Sequence, residues 1–180
     1  MRSNANEADN KIMYIRQAKG QDAEAITHIL NAAIADDAAI GKDTARNVAE
    51  RLTWITQRQA SGFPVIVAVS NDPPEKVIGF ASFGPWRDGN GYRYTVELSI
   101  YVHADHQGEG VGKFLLENLI EIAEAQGHHV MIAAIETQNE ASIEIHRSFN
   151  FEEAGHFREV GQKRGEWLDL TMMQLMLVKS

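Results

Sequence analysis

Apolar positions change period several times along the chain, and each change marks an element. Ile12 to Gln17 alternates as a short strand. Ile26, Ile29, Leu30 and Ala33 then share one face of a helix expected from Ala23 to Ala35, with Asp22 at its start. A loop over Asp36 to Gly41 leads to a second helix, capped by Asp43 or Thr44 and running to about Ala60. Its apolar stripe is Val48, Leu52 and Ile55, and Gly62 ends it. Pro64 to Ser70 is nearly continuously apolar, as in a strand covered on both faces. Asn71-Asp72-Pro73-Pro74 has turn chemistry, so Val77 to Phe83 returns as a hairpin partner. Gly84 to Gly91 is a loop, and Tyr92 to Val102 a long strand. A helix with Val111, Phe114, Leu115, Leu119 and Ile122 on one face follows, then a strand from Val130 to Ile135. A short helix from Glu140 to Phe149 and two strands, Phe151 to Val160 and Trp167 to Val178, around the turn GQKRG complete the chain.

The order β-α-α-β-β-β-α-β-α-β-β places the protein in the α/β (α+β) class, with a mixed, mostly antiparallel sheet and helices on both faces. Strands two to four follow one another too closely for crossover helices, which excludes a purely parallel doubly wound sheet. Residues 1–11 are polar and without pattern, as in a disordered tail, and residues 12–180 contain no linker that would divide one domain. Composition adds exclusions. A net charge of −8 argues against a nucleic-acid-binding surface. The absence of cysteine removes thiol catalysis and thiolate metal sites. Apolar runs fall far short of the ~20 residues that span a bilayer, and the N-terminus has no apolar signal core, so a cytoplasmic location without membrane contact is expected.

The stretch with chemical content is Val96 to Lys113, VELSIYVHADHQGEGVGK. A strand runs into a turn with Gly108, Gly110 and Gly112, and an amphipathic helix begins there. Such a turn lets backbone N–H groups and a helix N-terminus approach a phosphate, though it also serves as an ordinary helix-capping turn. A P-loop is excluded because Gln107 stands at its first glycine position and Phe114 at its Ser/Thr position. A dinucleotide fingerprint is excluded because Lys113 stands at its third glycine.

The hexapeptide Gln107-Gly108-Glu109-Gly110-Val111-Gly112 resembles the (Arg/Gln)-x-x-Gly-x-(Gly/Ala) pyrophosphate loop of the GCN5-related N-acetyltransferases. Together with ELSIYV it marks that superfamily. GPWRDGNGYRYTVE, NEASIEIHRSFNF and GQKRGEWLDLTMMQ mark a narrower resemblance, to the phosphinothricin and methionine sulfoximine N-acetyltransferases, over residues 13–178. The resemblance implies acetyl-CoA as co-substrate, no metal, and a small amino-acid-like acceptor. It assigns the backbone of Ile100, Tyr101 and Val102 to the pantetheine arm, in the manner of strand addition. The main chain of Gln107, Gly108, Glu109, Gly110, Val111 and Gly112, with Lys113, would hold the pyrophosphate. Asn139 and Ser142 would contact the cofactor arm, although Asn139 also reads as a helix N-cap.

An amine must lose its proton before it can be acylated. Glu97 alternates with Thr95, Ser99 and Tyr101 on one strand face, and the resemblance makes it the base; a surface carboxylate is the other reading. Burial would raise its pKa into a useful range. His146 stands where the subfamily has a catalytic histidine. It is the candidate acid for the departing thiolate, since no tyrosine follows Tyr101, or else a packed helix residue between Ile145 and Phe149. His103, His106, His128 and His129 read as solvated loop residues with no metal spacing. Arg87 and Arg93 could pair with an acceptor carboxylate, with Trp86 and Tyr92 as pocket walls. They also read as a surface arginine and a cross-strand ion pair. The segment AAIADDAAI, with Asp36 and Asp37, departs from the Thr-rich segment of relatives and leaves the acceptor's side chain open. Trp167, Met172 and Met173 resemble a twofold dimer region, with core packing as the alternative for Trp167. A polyamine or protein N-terminus as acceptor, or an acyl-CoA sensor without catalysis, are the competing functions.

Overall fold

The computed structural model describes residues 13–35 and 45–177. In chain order these form β1 (Met13–Gln17), α1 (Ala23–Ala35), α2 (Val48–Ala60), β2 (Val65–Ser70), β3 (Val77–Pro85), β4 (Thr95–Val102), α3 (Val111–Ala125), β5 (Val130–Glu136), α4 (Glu140–Ser148), β6 (Glu152–Lys163) and β7 (Glu166–Met176). The strands make one seven-stranded sheet in the order β1-β2-β3-β4-β5-β7-β6. Every neighbouring pair is antiparallel except β4 and β5, so the mixed sheet and the element order are as expected. No helix among the described residues is long and apolar enough to cross a membrane.

Strand alternation sorts side chains into two cores. Val96, Leu98, Val111, Leu115, Leu119 and Met131 belong to a cluster beneath α3 and α4. Ile26, Leu30, Ile55, Val65, Val67 and Phe80 belong to another beneath α1 and α2. On the first side, α3 lies so close to β3 that a Cβ on Gly79 would sit 2.9 Å from Val111 Cγ1 and 3.2 Å from the Tyr101 carbonyl oxygen. On the other, buried Asp22 ties β1 to the start of α1 by accepting from Arg16 Nη1 at 2.6 Å, Arg16 Nη2 at 2.9 Å and the Lys19 N–H at 2.7 Å.

The structure corrects several expected boundaries. The cap assigned to Asp43 or Thr44 and the tail over residues 1–11 lie outside the described residues. The cap of α2 is Asn47, whose Oδ1 accepts from the Glu50 N–H while Glu50 accepts from the Asn47 N–H. Val48 and Leu52 are exposed, and of the expected stripe only Ile55 is buried, with Arg51 beside it. β3 continues to Pro85, because its ladder with β4 extends to Val96. β4 begins at Thr95 rather than Tyr92, because Asn90–Tyr92 coils into a turn in which Gly89 and Asn90 carbonyls accept from the Tyr92 and Arg93 N–H groups. β6 runs to Lys163, because the hairpin needs only Arg164 and Gly165. Both have positive φ, 50° and 87°, the twist that a two-residue loop requires. His128 is buried, stacked on Phe63 and edge-on to Phe83 with centroids 6.3 and 5.5 Å away. It follows the end of α3 directly, and its N–H is tied to the Ala123 carbonyl, which turns the ring inward.

Gly79→Val, which forces two γ-carbons into the β3–α3 contact, is expected to lower unfolding free energy by about 1–3 kcal/mol or more, measured by denaturant titration.

Candidate active site at the gap between two strands

β4 and β5 pair over three positions only, Thr95 with Val130, Val96 with Met131 and Glu97 with Ile132. Beyond these, β4 stays paired with β3 as far as Val102, and β5 stays paired with β7 as far as Glu136. Each strand holds its outer partner, so a gap opens between them. Leu98 to Tyr101 line one side, Ala133 to Glu136 the other, and α4 contributes Ser142 and His146 together with its cap Asn139. The cavity of about 90 Å³ takes the narrow end of an extended ligand and is too small for a nucleotide. Main-chain groups on the facing strand edges have no ladder partner there and can bond an extended chain.

At the far end of β4 the chain enters the glycine turn. Gly110 is the N-cap of α3 with φ of +81°, a conformation that favours glycine, and no side chain caps the helix. The first turn of α3 holds no acidic residue, so the N–H groups of Val111, Gly112 and Lys113 face outward with the positive end of the helix dipole. A Cβ at Gly108 or Gly110 would meet nothing within 4 Å, so the space over the turn is open. Gln107 is exposed, and Glu109 is turned aside to His106 at 2.9 Å. Lys113 is exposed, with Nζ 5.9 Å from the Phe149 ring.

Ile100, Tyr101, Asn139, Ser142 and His146 therefore meet in one cleft, and Val102 leads from it to the turn. Asn139 is also the N-cap of α4, its Oδ1 accepting from the Ser142 N–H at 3.1 Å. His146 is 4% exposed. Its Nδ1 lies 2.8 Å from the Ser142 carbonyl, which can only accept, so Nδ1 carries the proton. Nε2 is then a bare lone pair with no partner among the described residues. Phe151 packs edge-on at 5.0 Å, and burial lowers the imidazole pKa. Burial therefore favours the neutral ring, with its proton on Nδ1. The acid role expected for it thus requires that Nε2 first receive a proton.

Glu97 stands at the last paired position, where the gap begins. It is partly buried, and that burial raises its carboxyl pKa. Across the ladder its partner is Gly84, and the space where a Gly84 side chain would stand is filled by the Arg58 guanidinium. Arg58 and Arg51, both from α2, flank Trp54, with guanidinium carbons 5.5 and 4.7 Å from its ring centroid. The sequence reading passed over these three. Their signal was spacing, three and four residues apart on the buried side of a helix.

The loop after β3 gathers Trp86, Arg87 and Tyr92. The two rings meet edge-on at 5.4 Å, and the Arg87 guanidinium lies 4.6 Å over Trp86. Arg93 turns to Tyr94 at 4.4 Å and donates to the Asn90 carbonyl at 2.7 Å. Both arginines are exposed, and neither bonds Glu97. Among the described residues no three His, Asp or Glu side chains converge as a metal site.

Comparison with known proteins finds relatives along most of the chain. Residues 25–151 match the family described as Acetyltransferase (GNAT) family. An L-methionine sulfoximine/L-methionine sulfone acetyltransferase of Salmonella typhimurium is 49% identical, over 92% of this chain and 95% of that protein. A phosphinothricin N-acetyltransferase of Streptomyces viridochromogenes is 32% identical, over 89% of this chain and 85% of its own. A solved acetyltransferase structure from Salmonella typhimurium with its cofactor acetyl-CoA superposes with a TM-score of 0.88 at 48% identity, covering 94% of this chain and 96% of that one.

His146 and His128 are both buried with lowered pKa. At these two positions the unfolded chain takes up protons near pH ~6.5, and the folded chain only at lower pH. Stability is therefore complete above that pH and is expected to fall as pH drops below it, more steeply than in His128→Phe. Nitrogen NMR should find His146 as the neutral Nδ1–H form at pH ~6.5.

Proposed function

We propose an acceptor and a proton path for this chain, which belongs to the acetyltransferase (GNAT) family and is an acetyl-CoA-dependent N-acetyltransferase. The acceptor is the α-amine of a small amino acid or analogue of the methionine sulfone, methionine sulfoximine or phosphinothricin type. The observation that carries the reading is the gap itself, with Glu97 at its closed end and His146 among the residues that line it.

The free strand edges and the uncapped α3 N-terminus fit acetyl-CoA. Main-chain groups of Ile100, Tyr101 and Val102 would hold the pantetheine arm, with Asn139 and Ser142 alongside. The N–H groups over residues 108–113, with Lys113, would hold the pyrophosphate, and Gln107 and Glu109 flank them. Bound acetyl-CoA supplies the acyl group activated as a thioester.

The residues then handle two protons. An acceptor ammonium must lose one to become nucleophilic, and Glu97, with its raised pKa, takes it directly or through one water. A second proton leaves the nitrogen as its bond to the acyl carbon forms. Nε2 of His146 receives it and passes it to the departing sulfur, so the histidine begins as a base and ends as the acid. Trp86, Arg87, Tyr92 and Arg93 wall the approach, and the two exposed cations draw the acceptor's carboxylate inward. That field disfavours a polyamine.

The β6–β7 hairpin carries Phe157, Val160, Trp167 and Met176, each at least half exposed, on the outer part of the sheet where β6 is the edge. Met173 lies in the core; Trp167, at 60% exposed, does not. A second copy packing on this face would give a twofold homodimer. The use of acetyl-CoA and a small free acceptor fits a cytoplasmic setting.

Glu97→Gln is expected to lower kcat about 10²- to 10⁴-fold while leaving acetyl-CoA binding intact, read by thiol release and calorimetry. In the parent, kcat/KM should decline toward acid with a midpoint above the ordinary ~4.3 of a glutamate; a limb that persists unchanged in the variant would remove Glu97 from the path. Light scattering should find a dimer for the parent and a monomer for Trp167→Asp.

A further inference from the structure

The side of α2 turned to the sheet is cationic where a core helix is ordinarily apolar. Arg51 is 7% exposed, its Nε has no partner among the described residues, and burial lowers its pKa. Arg58 is partly buried. The ion pairs among the described residues use other side chains, so neither guanidinium has a carboxylate partner among those residues. Glu50, on the same helix, is committed to the capping box at Asn47, and Arg46 adds further positive charge near Arg51. Two guanidiniums held in a half-dry site without an acid is an arrangement that costs stability unless an anion joins it.

Their placement says which anion. The α2 face covers the same side of the sheet as Glu97, Ser99 and Tyr101. Arg58 occupies the Cβ space of Gly84, in register with Glu97. Arg51 acts on Tyr101, four residues further along β4. Seven residues of helix separate the two arginines, about 10 Å of rise. With about 3 Å taken up by each hydrogen bond, a short amino acid with a polar side-chain end spans the remainder.

We propose that Arg58 and Arg51 are the acceptor-recognition wall: Arg58 binds the α-carboxylate beside the amine that Glu97 deprotonates, Arg51 binds an oxygen-bearing group at the end of the acceptor's side chain, and Trp54 packs on the carbons between. This rests on the acceptor class proposed above. All four arginines face aromatic rings, but Arg87 and Arg93 are exposed and Arg51 and Arg58 are not, so the exposed pair steers the acceptor and the less exposed pair holds it. Gly84 belongs to the same device, since the absence of a side chain there makes room for the Arg58 guanidinium.

The test uses the full chain with acetyl-CoA and three acceptors: methionine sulfone, its amine lacking the carboxylate (3-(methylsulfonyl)propylamine), and methionine, which lacks the sulfonyl oxygens. Arg58→Gln should raise KM for methionine sulfone at least tenfold and collapse the parent's preference for it over the carboxylate-free amine. Gly84→Ala leaves both arginines in the chain but displaces the Arg58 guanidinium, and should reproduce that collapse. Arg51→Gln should instead collapse the preference for methionine sulfone over methionine. KM for acetyl-CoA should stay unchanged in all three. A merely structural role would lower the melting temperature and kcat for every acceptor alike; kcat/KM ratios left at parent values would then overturn the proposal. A parent that acetylates none of the amino-acid acceptors would overturn the acceptor class first, and the wall with it.

Discussion

The site depends on β4 keeping one neighbour and losing the other. A parallel ladder that continued past Glu97 and Ile132 would satisfy every facing main-chain group and leave a closed sheet. The outer ladders, β3 with β4 and β5 with β7, instead run on to Val102 and Glu136, which fixes each strand's direction independently. The missing hydrogen bonds between them are concentrated in one place and face a cavity. Unpaired main-chain groups in a protein interior are costly unless a ligand or water completes them. The gap is therefore a binding site by the same accounting that makes the rest of the sheet stable.

Side chains around the gap repeat that logic. Buried Asp22 is a structural charge, because Arg16 and the Lys19 N–H satisfy it completely. Among the described residues Arg51, comparably buried, has no such partner for its Nε, and Nε2 of His146 has none either. Glu97 has its pKa raised by burial with no compensating contact to pull it back. Glu97 and His146 belong to the elements that border the gap and Arg51 to the helix over Glu97's side of the sheet, whereas His128, whose Nδ1 also has no partner among the described residues, lies against Phe63 and Phe83. Perturbed groups that cluster in this way around a cleft are the pattern expected where chemistry is done.

Much of this was readable from the residues. The strict alternation of TVELSIYV fixed which side chains of β4 share a face with Glu97, and the glycine spacing located the open helix terminus. What misled was α2, where Val48, Leu52 and Ile55 offered an apolar stripe that is buried only at Ile55. Periodicity ranks residues by hydropathy, so it assigns arginines to solvent and cannot register a helix that turns Arg51 and Arg58 inward. His128 escaped for a related reason: a ring beside a glycine at a helix end reads as polar, and only the fold brings Phe63 and Phe83 around it. Arg87 and Arg93 were visible as cations near Glu97, but sequence distance could not show that their aromatic neighbours hold them at the surface.

The two cores also divide the labour. Helices α3 and α4 pack on one face and bring the open N-terminus, Asn139 and His146 to the gap. Helices α1 and α2 pack on the other face, the one that Tyr101 of β4 joins and toward which Glu97 alternates. The apolar sheet separates these faces everywhere that its ladders are intact. The gap between β4 and β5 breaks that separation, so a group held on the α3 side and one held on the α2 side meet there. Since the faces belong to different hydrophobic clusters, side chains on α2 can change without disturbing the turn and helix terminus opposite. Such an architecture lets acceptor preference diverge among proteins that keep the glycine turn.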